Sequence, residues 1–225
     1  IFYQKRVSEQ LKNMSHEMRN PIAFLQRVLD SLPDAQRRSR LVKVGEFKIT
    51  LANLMLDKLL TIKKARIDIH PEEFSVRQLL DNVMMQYELM LEPTGKIKLE
   101  YETTQELITA DKLCFLNAIV NLVDNAIKYT PCGSITIKVS EYELFTRIDV
   151  SDTGIGIEEM EQPKIFSRFY RSENVREDEG VGIGLYLARE IISSEGGYIK
   201  LTSELRKGST FSVFLPRQVE ILQSC

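Results

Sequence analysis

The chain has two histidines, and one of them, His16, stands in Ser15-His16-Glu17-Met18-Arg19-Asn20-Pro21. A neutral imidazole is a competent nucleophile near neutral pH. A carboxylate beside it, here Glu17, can hold one ring nitrogen and sharpen the other. The run therefore suits a phosphoryl acceptor. Much farther along come Asn121-Leu122-Val123-Asp124-Asn125, Asp152-Thr153-Gly154-Ile155-Gly156 and Gly180-Val181-Gly182-Ile183-Gly184-Leu185. Asn117, Asn121, Asn125 and Lys128 recur at steps of 4, 4 and 3, so they share one helix face. Such a row of amides is poor as packing, because buried amides need partners. It suits a surface holding a metal-bound triphosphate: an amide oxygen is a hard ligand for magnesium, and Lys128 is a point charge for phosphate. An ordinary amphipathic helix with a polar face is the plainer reading of this stretch alone.

Asp152 follows a strand pattern, and a carboxylate there can accept a hydrogen bond from an exocyclic amine such as adenine's. Gly154 and Gly156 let the backbone approach a ligand. The run Gly180–Leu185 opens a helix, so its backbone can present N–H groups to phosphate. It lacks the βαβ setting of a dinucleotide fold and the Lys-Ser/Thr of a P-loop. Between the loops, Ser172–Glu179 is polar and reads as a mobile lid.

Two kinds of element must hold these residues. Val7, Leu11, Met14, Met18, Ile22, Leu25, Leu29 and Leu32 form one narrow apolar seam over residues 7–32. Leu32-Pro33-Asp34 interrupts it, and a second helix of about 45 Å runs from Ala35 to Arg66. This predicts an antiparallel hairpin that pairs with a second copy into a four-helix bundle, hence a homodimer. His16 lies about 200° around the helix from Met14 and from Met18, so it faces away from the seam, as does Asn20. Pro21 kinks the helix one turn on.

His70–Ser75 reads as a linker. Beyond it come helices at Ser75–Leu91, Asp111–Tyr129 and from Ile183. Strands alternate at Ile97–Glu102, Ile135–Ser140, Phe145–Ser151, Tyr198–Ser203 and Thr210–Leu215. The expected fold is an all-α hairpin over residues 1–69 followed by an α+β two-layer sandwich over 70–225.

Composition narrows the classes. Lys and Arg number 30 against 32 Asp and Glu, a net charge of −2, which gives no electrostatic case for nucleic acid. The 3 cysteines are scattered, with no metal-ligand spacing, as expected of free thiols in a reducing cytoplasm. No stretch approaches the ~18 apolar residues of a membrane span. The chain opens at Ile1 inside a helical pattern and reads as a piece with an upstream part missing, so membrane attachment is expected only through such segments.

The ordered runs SHEMRNP, NLVDNAIKYTP, DTGIGI, IFSRFYR, GVGIGL and KGSTFSVFLP resemble the two-component sensor histidine kinases, over roughly Gln10 to Pro216. The resemblance implies a dimerisation and phosphoacceptor hairpin, then an ATP-binding domain of the gyrase, chaperone, histidine kinase and MutL type. It implies autophosphorylation of His16 from ATP, Glu17 as its base, and transfer to an aspartate on the receiver domain of a response regulator. Asn20 matches the position that orients water for dephosphorylating that regulator. Asn121 and Asn125 match the asparagine box, with Asn125 the magnesium ligand. Lys128 and Tyr129 match residues at the phosphates and the base, and Asp152 the adenine-reading aspartate. Gly154, Gly156, Gly180, Gly182 and Gly184 match the glycine boxes. Phe166, Phe169 and Arg171 match the phenylalanine box, and Leu185 and Thr210 complete the implied nucleotide contacts. A bacterial inner-membrane anchor in the full-length protein is a further implication. Relatives that hydrolyse ATP carry a glutamate where this chain has Asn121, and an amide cannot act as a general base.

Overall fold

The chain divides into two units, Ile1–Asp68 and Ile69–Cys225. The computed structural model describes residues 69–91, 95–170 and 183–217, with Val42, Gly45, Glu46, Ile49 and Ala52 of the first unit. Those five are helical and fall in the span expected for the second helix. The hairpin, its dimer and the residues His16, Glu17, Asn20, Arg171, Gly180 and Gly182 lie outside the described residues.

The second unit runs β1 (Glu72–Ser75), α1 (Val76–Leu91), β2 (Ile97–Thr103), β3 (Leu107–Ala110), α2 (Lys112–Tyr129), β4 (Gly133–Glu141), β5 (Phe145–Asp152), α3 (Gly184–Ser194), β6 (Tyr198–Glu204) and β7 (Gly208–Pro216). The main sheet has the order β2-β4-β5-β7-β6, and β1 pairs with β3 apart from it. All main-sheet pairs are antiparallel except β2 with β4, which run parallel from Ile97 opposite Gly133 to Thr103 opposite Val139.

Alternation along each strand decides the layers. Ile135, Ile137, Val139, Ile148, Val150, Phe211, Val213 and Leu215 are buried, so one sheet face carries them all. Against that face α1 lies on β2, α2 on β4 and β5, and α3 on β6 and β7. The helices supply Val76, Leu80 and Val83, then Ile119, Leu122 and Val123, then Leu187, Ile191 and Ile192. Each such side chain contributes about 1.5–3 kcal/mol when fully buried. The other face is closed by cross-strand pairs. Tyr198 of β6 stacks on Phe214 of β7 at 4.6 Å, and Arg147 of β5 lies 5.6 Å over the same ring while pairing along its own strand with Asp149 at 2.9 Å. Cys114 is buried and Cys132 exposed, and neither is in a disulfide.

Two expectations need correcting. The segment read as a linker contains β1, whose Phe74 is buried and tilts against Phe115 of α2 at 5.8 Å. Its two glutamates hide a strand whose single anchor is Phe74. β3 escaped the sequence reading as well, being four residues with two exposed. Its pairing with β1 fastens the entry of the unit to the strand that leads straight into α2.

Asp111 locks that junction. Its Oδ1 accepts the Cys114 N–H at 2.9 Å and caps α2, while its Oδ2 accepts the His70 N–H at 3.1 Å. Its own N–H donates to Glu195 Oε1 beyond the end of α3, at 2.8 Å. Replacing Asp111 with alanine removes a helix cap and a second acceptor together. It should cost the second unit about 1–2 kcal/mol, read as a lower melting temperature; an unchanged melting temperature would contradict this role.

Candidate nucleotide site

The site is built around α2. Its apolar positions face the sheet, which turns Asn117, Asn121, Asn125 and Lys128 toward α3 and the loops. Asn117 and Asn121 are 1% and 5% exposed. Burial of Asn121 is tolerated because its Nδ2 has acceptors: it donates to the Asn117 carbonyl at 2.9 Å and to Asn117 Oδ1 at 2.8 Å. The amide row is thus not one open surface. Its first half is an internal anchor, and Asn125, Lys128 and Tyr129, all half-buried, form the accessible half.

Asn121 also meets α3. A Cβ on Gly184 would come within 2.8 Å of Asn121 Oδ1, so the glycine lets the first turn of α3 close on α2. Leu185 follows, half-buried. Lys128 Nζ lies 5.0 Å over the Tyr129 ring, at the C-terminal end of α2, where a cation is favoured. Asp124 turns the other way. It accepts the hydroxyl of buried Tyr87 at 2.6 Å and ties α1 to α2. Burial, followed by the Asp124 charge, pushes the Tyr87 phenol far up.

The loop after β5 closes on the end of α2. The Ile155 N–H donates to the Tyr129 carbonyl at 3.0 Å. A Cβ at Gly154 would stand 2.2 Å from that carbonyl oxygen, which is rigid backbone, and 2.8 Å from both Asp152 Oδ1 and Thr130 Oγ1. Only glycine fits. Asp152 Oδ1 accepts the Gly154 N–H at 2.8 Å. Gly156, at φ +69°, lies against the Glu204 carbonyl, while Ile155 accepts the Arg206 N–H at 2.6 Å. Thr130 is 1% exposed, and its hydroxyl is the one buried side-chain polar atom without a hydrogen-bond partner among the described residues. It lies behind Gly154, beside Asp152.

Asp152 is the most strongly conditioned carboxylate of this group. Burial raises its pKa above the ordinary 3.8, and the Gly154 and Ser209 N–H groups oppose that rise. Ser209 is the residue that sequence reasoning missed. In the β5–β7 register Asp152 faces Ser209, whereas Thr210 faces Ser151. Alternation puts Ser209 on the helix side with Asp152. The Thr210 hydroxyl shares a hydrogen bond with Ser151 Oγ at 2.9 Å on the opposite face. The alternation of β7 carried the signal that places Ser209, not Thr210, on that face.

The arrangement thus gathers Asn121, Gly184, Asn125, Lys128, Tyr129, Gly154, Gly156 and Asp152. Thr210 is placed elsewhere. Among the described residues no three His, Cys, Asp or Glu side chains gather to hold a metal. A magnesium ion would therefore be held by a single amide such as Asn125 together with phosphates and water, which is how that ion usually binds. No helix among the described residues is long and apolar enough to cross a membrane.

A carboxyl with a raised folded pKa stabilises the fold fully below the unfolded value and loses that contribution as pH rises through the folded one. The ionised form of Asp152, which gains weight as pH rises, is therefore a cost to the fold. Asp152→Asn should melt no lower than wild type at neutral pH, and any gain should shrink as pH falls toward 3.8. Thermal melts across that range check it; a clearly less stable variant at neutral pH would contradict it.

Comparison with known proteins agrees with this geometry. Residues 110–219 match the family described as histidine kinase-, DNA gyrase B- and HSP90-like ATPases. The sensor protein SrrB of Staphylococcus aureus is 31% identical over 222 residues, covering 92% of this chain and 37% of that protein. The chain thus spans little more than a third of the length of that relative. The catalytic domain of histidine kinase ThkA matches with a TM-score of 0.58 and 28% identity, over 66% of this chain and 98% of that one. Full-length ShkA, solved in complex with AMPPNP, matches with a TM-score of 0.68 and 25% identity, over 93% of this chain and 46% of that one. With the asparagine helix, the Asp152 loop and the glycine-started helix gathered on one α+β sandwich, the chain carries the ATPase-type catalytic domain of the histidine kinases and is similar to two-component sensor kinases along most of its length.

Proposed function

We propose that the chain binds magnesium–ATP in the 70–225 domain, phosphorylates His16 in the 1–69 domain, and passes the group to an aspartate of a response regulator. The observation that supports this best is the meeting of Asp152, Gly154 and Tyr129 at one end of α2 with Asn121 and Gly184 farther along it. One end offers a carboxylate, a flat ring and a backbone cradle suited to a base. The other offers amides and a helix N-terminus suited to phosphates.

In the proposed reaction a His16 ring nitrogen attacks the γ-phosphorus, the bond to the bridging oxygen breaks, and ADP leaves. Glu17 holds the other ring nitrogen and draws off its proton. Lys128 meets phosphate charge, and bound magnesium would supply further neutralisation. The chain's own part is positioning for in-line attack. Both polar hydrogens of Asn121 are directed at Asn117, and its amide cannot activate water. This supports a site that keeps ATP for His16. Homodimerisation through the hairpin, and phosphatase action on the regulator through Asn20, complete the reading.

Incubation of the whole chain with γ-labelled ATP and magnesium tests it. The expected label is acid-labile and base-stable, and falls to background in His16→Ala. Asp152→Asn should weaken ATP binding by about ten- to a hundred-fold, the worth of a hydrogen bond to a charged group. Label that persists in His16→Ala, or is absent from the wild type, would overturn the assignment.

A further inference from the structure

Among the described residues the first turn of α3 has no capping device of its own. Its N-cap, Ile183, makes no side-chain capping bond, and there is no acidic residue in the first turn. What holds it comes from elsewhere in the chain. The segment 158–170 leans on α3 through two guanidinium–aromatic contacts. Arg168 Cζ lies 4.5 Å from the centroid of the Tyr186 ring, and its Nη2 donates to the Tyr186 hydroxyl. Arg189 lies 5.7 Å over Phe166, whose ring meets Phe211 edge-on at 6.2 Å.

Tyr186 is 6% exposed, so its ring is an anchor inside the unit and its hydroxyl is the polar tip that reaches Arg168. Burial pushes the Tyr186 phenol up, Arg168 opposes that rise, and the Glu190 charge one turn along α3 adds to it. The hydroxyl accepts from Arg168. Next to Arg168, Phe169 holds φ at +62°, a left-handed conformation that bulky residues rarely adopt and that persists only when surrounding contacts impose it. The turn carrying Arg168 is therefore held in a set shape. Two residues before Tyr186 is Gly184, closed on Asn121.

We propose that Arg168 and Tyr186 are positioning residues for the phosphate end of the nucleotide. Their stacked and hydrogen-bonded pair sets where the uncapped first turn of α3 sits against α2. This rests on the nucleotide reading above. The base end is built from β5, β7 and the end of α2, on elements other than those that carry the pair. Loosening the pair should therefore weaken ligands in proportion to their phosphates.

The test is equilibrium binding of adenosine, ADP and ATP with magnesium to the whole chain, in wild type, Tyr186→Phe, Arg168→Lys, Arg168→Ala and the Arg168→Lys/Tyr186→Phe double variant. Tyr186→Phe removes the hydroxyl and keeps the ring. Arg168→Lys keeps the charge and loses the planar stack. Each should weaken ATP about tenfold, ADP less and adenosine within about twofold, as expected for a stacked, hydrogen-bonded cation. The double variant should be little worse than either single one, because both break one contact. Equal losses for all three ligands would show a merely structural role and overturn the proposal. So would an effect confined to Arg168→Ala, which would mean that charge alone matters. A wild type that binds adenosine but gains nothing from phosphates would sink the positioning idea and leave the base site standing. A wild type that binds none of the three would overturn the nucleotide reading and this inference together.

Discussion

A side-chain amide inside a helix-packed core must place both its hydrogens or the fold loses stability. Asn121 meets that constraint through Asn117, one turn earlier on the same helix. The pairing fixes the Asn121 rotamer, and with it the oxygen that faces Gly184. The approach of α3 to α2, and therefore the position of the glycine-rich turn, depends on that pair. Replacing Asn117 with an apolar residue would leave the buried Asn121 Nδ2 only the backbone carbonyl of position 117, a loss of about 1–3 kcal/mol. It would also free the interface between α2 and the start of α3 at Gly184.

The other end of α2 is governed by backbone. The Tyr129 carbonyl accepts from Ile155, and the path between them leaves no room for a Cβ at Gly154. Asp152 is held there against its own desolvation by N–H groups from Gly154 and Ser209. A carboxyl group buried at such a cost is typical of residues retained for binding. One helix thus joins two devices of different kinds, a side-chain pair at one end and a backbone cradle at the other. A flat base and a charged triphosphate need such different surroundings.

Much of this was legible in the sequence. The apolar period of α2 and the alternation in β4, β5, β6 and β7 are strong signals, since each buries one full face. The glycines of DTGIG could be singled out because close approach excludes other residues. Three features were hidden for physical reasons. β1 and β3 are four residues each, and Glu72-Glu73 masks the pattern that Phe74 anchors. Asn117 and Asn121 looked like surface because their mutual pairing cannot be seen before the helix packs. Ser209 was passed over for Thr210 because register, which only the β5–β7 pairing fixes, decides which neighbour shares the face of Asp152.

The central claim is that the Gly154 cradle at the end of α2 forms a nucleotide-binding site. Calorimetric titration of the whole chain with magnesium–ATP, in wild type and Gly154→Ala, tests it most directly. The account predicts saturable binding by the wild type. It predicts a loss of about a hundredfold or more in the variant, whose unfolding stays cooperative, because the added Cβ meets the Tyr129 carbonyl at 2.2 Å and must push the loop away. A folded Gly154→Ala that binds ATP as the wild type does would contradict it.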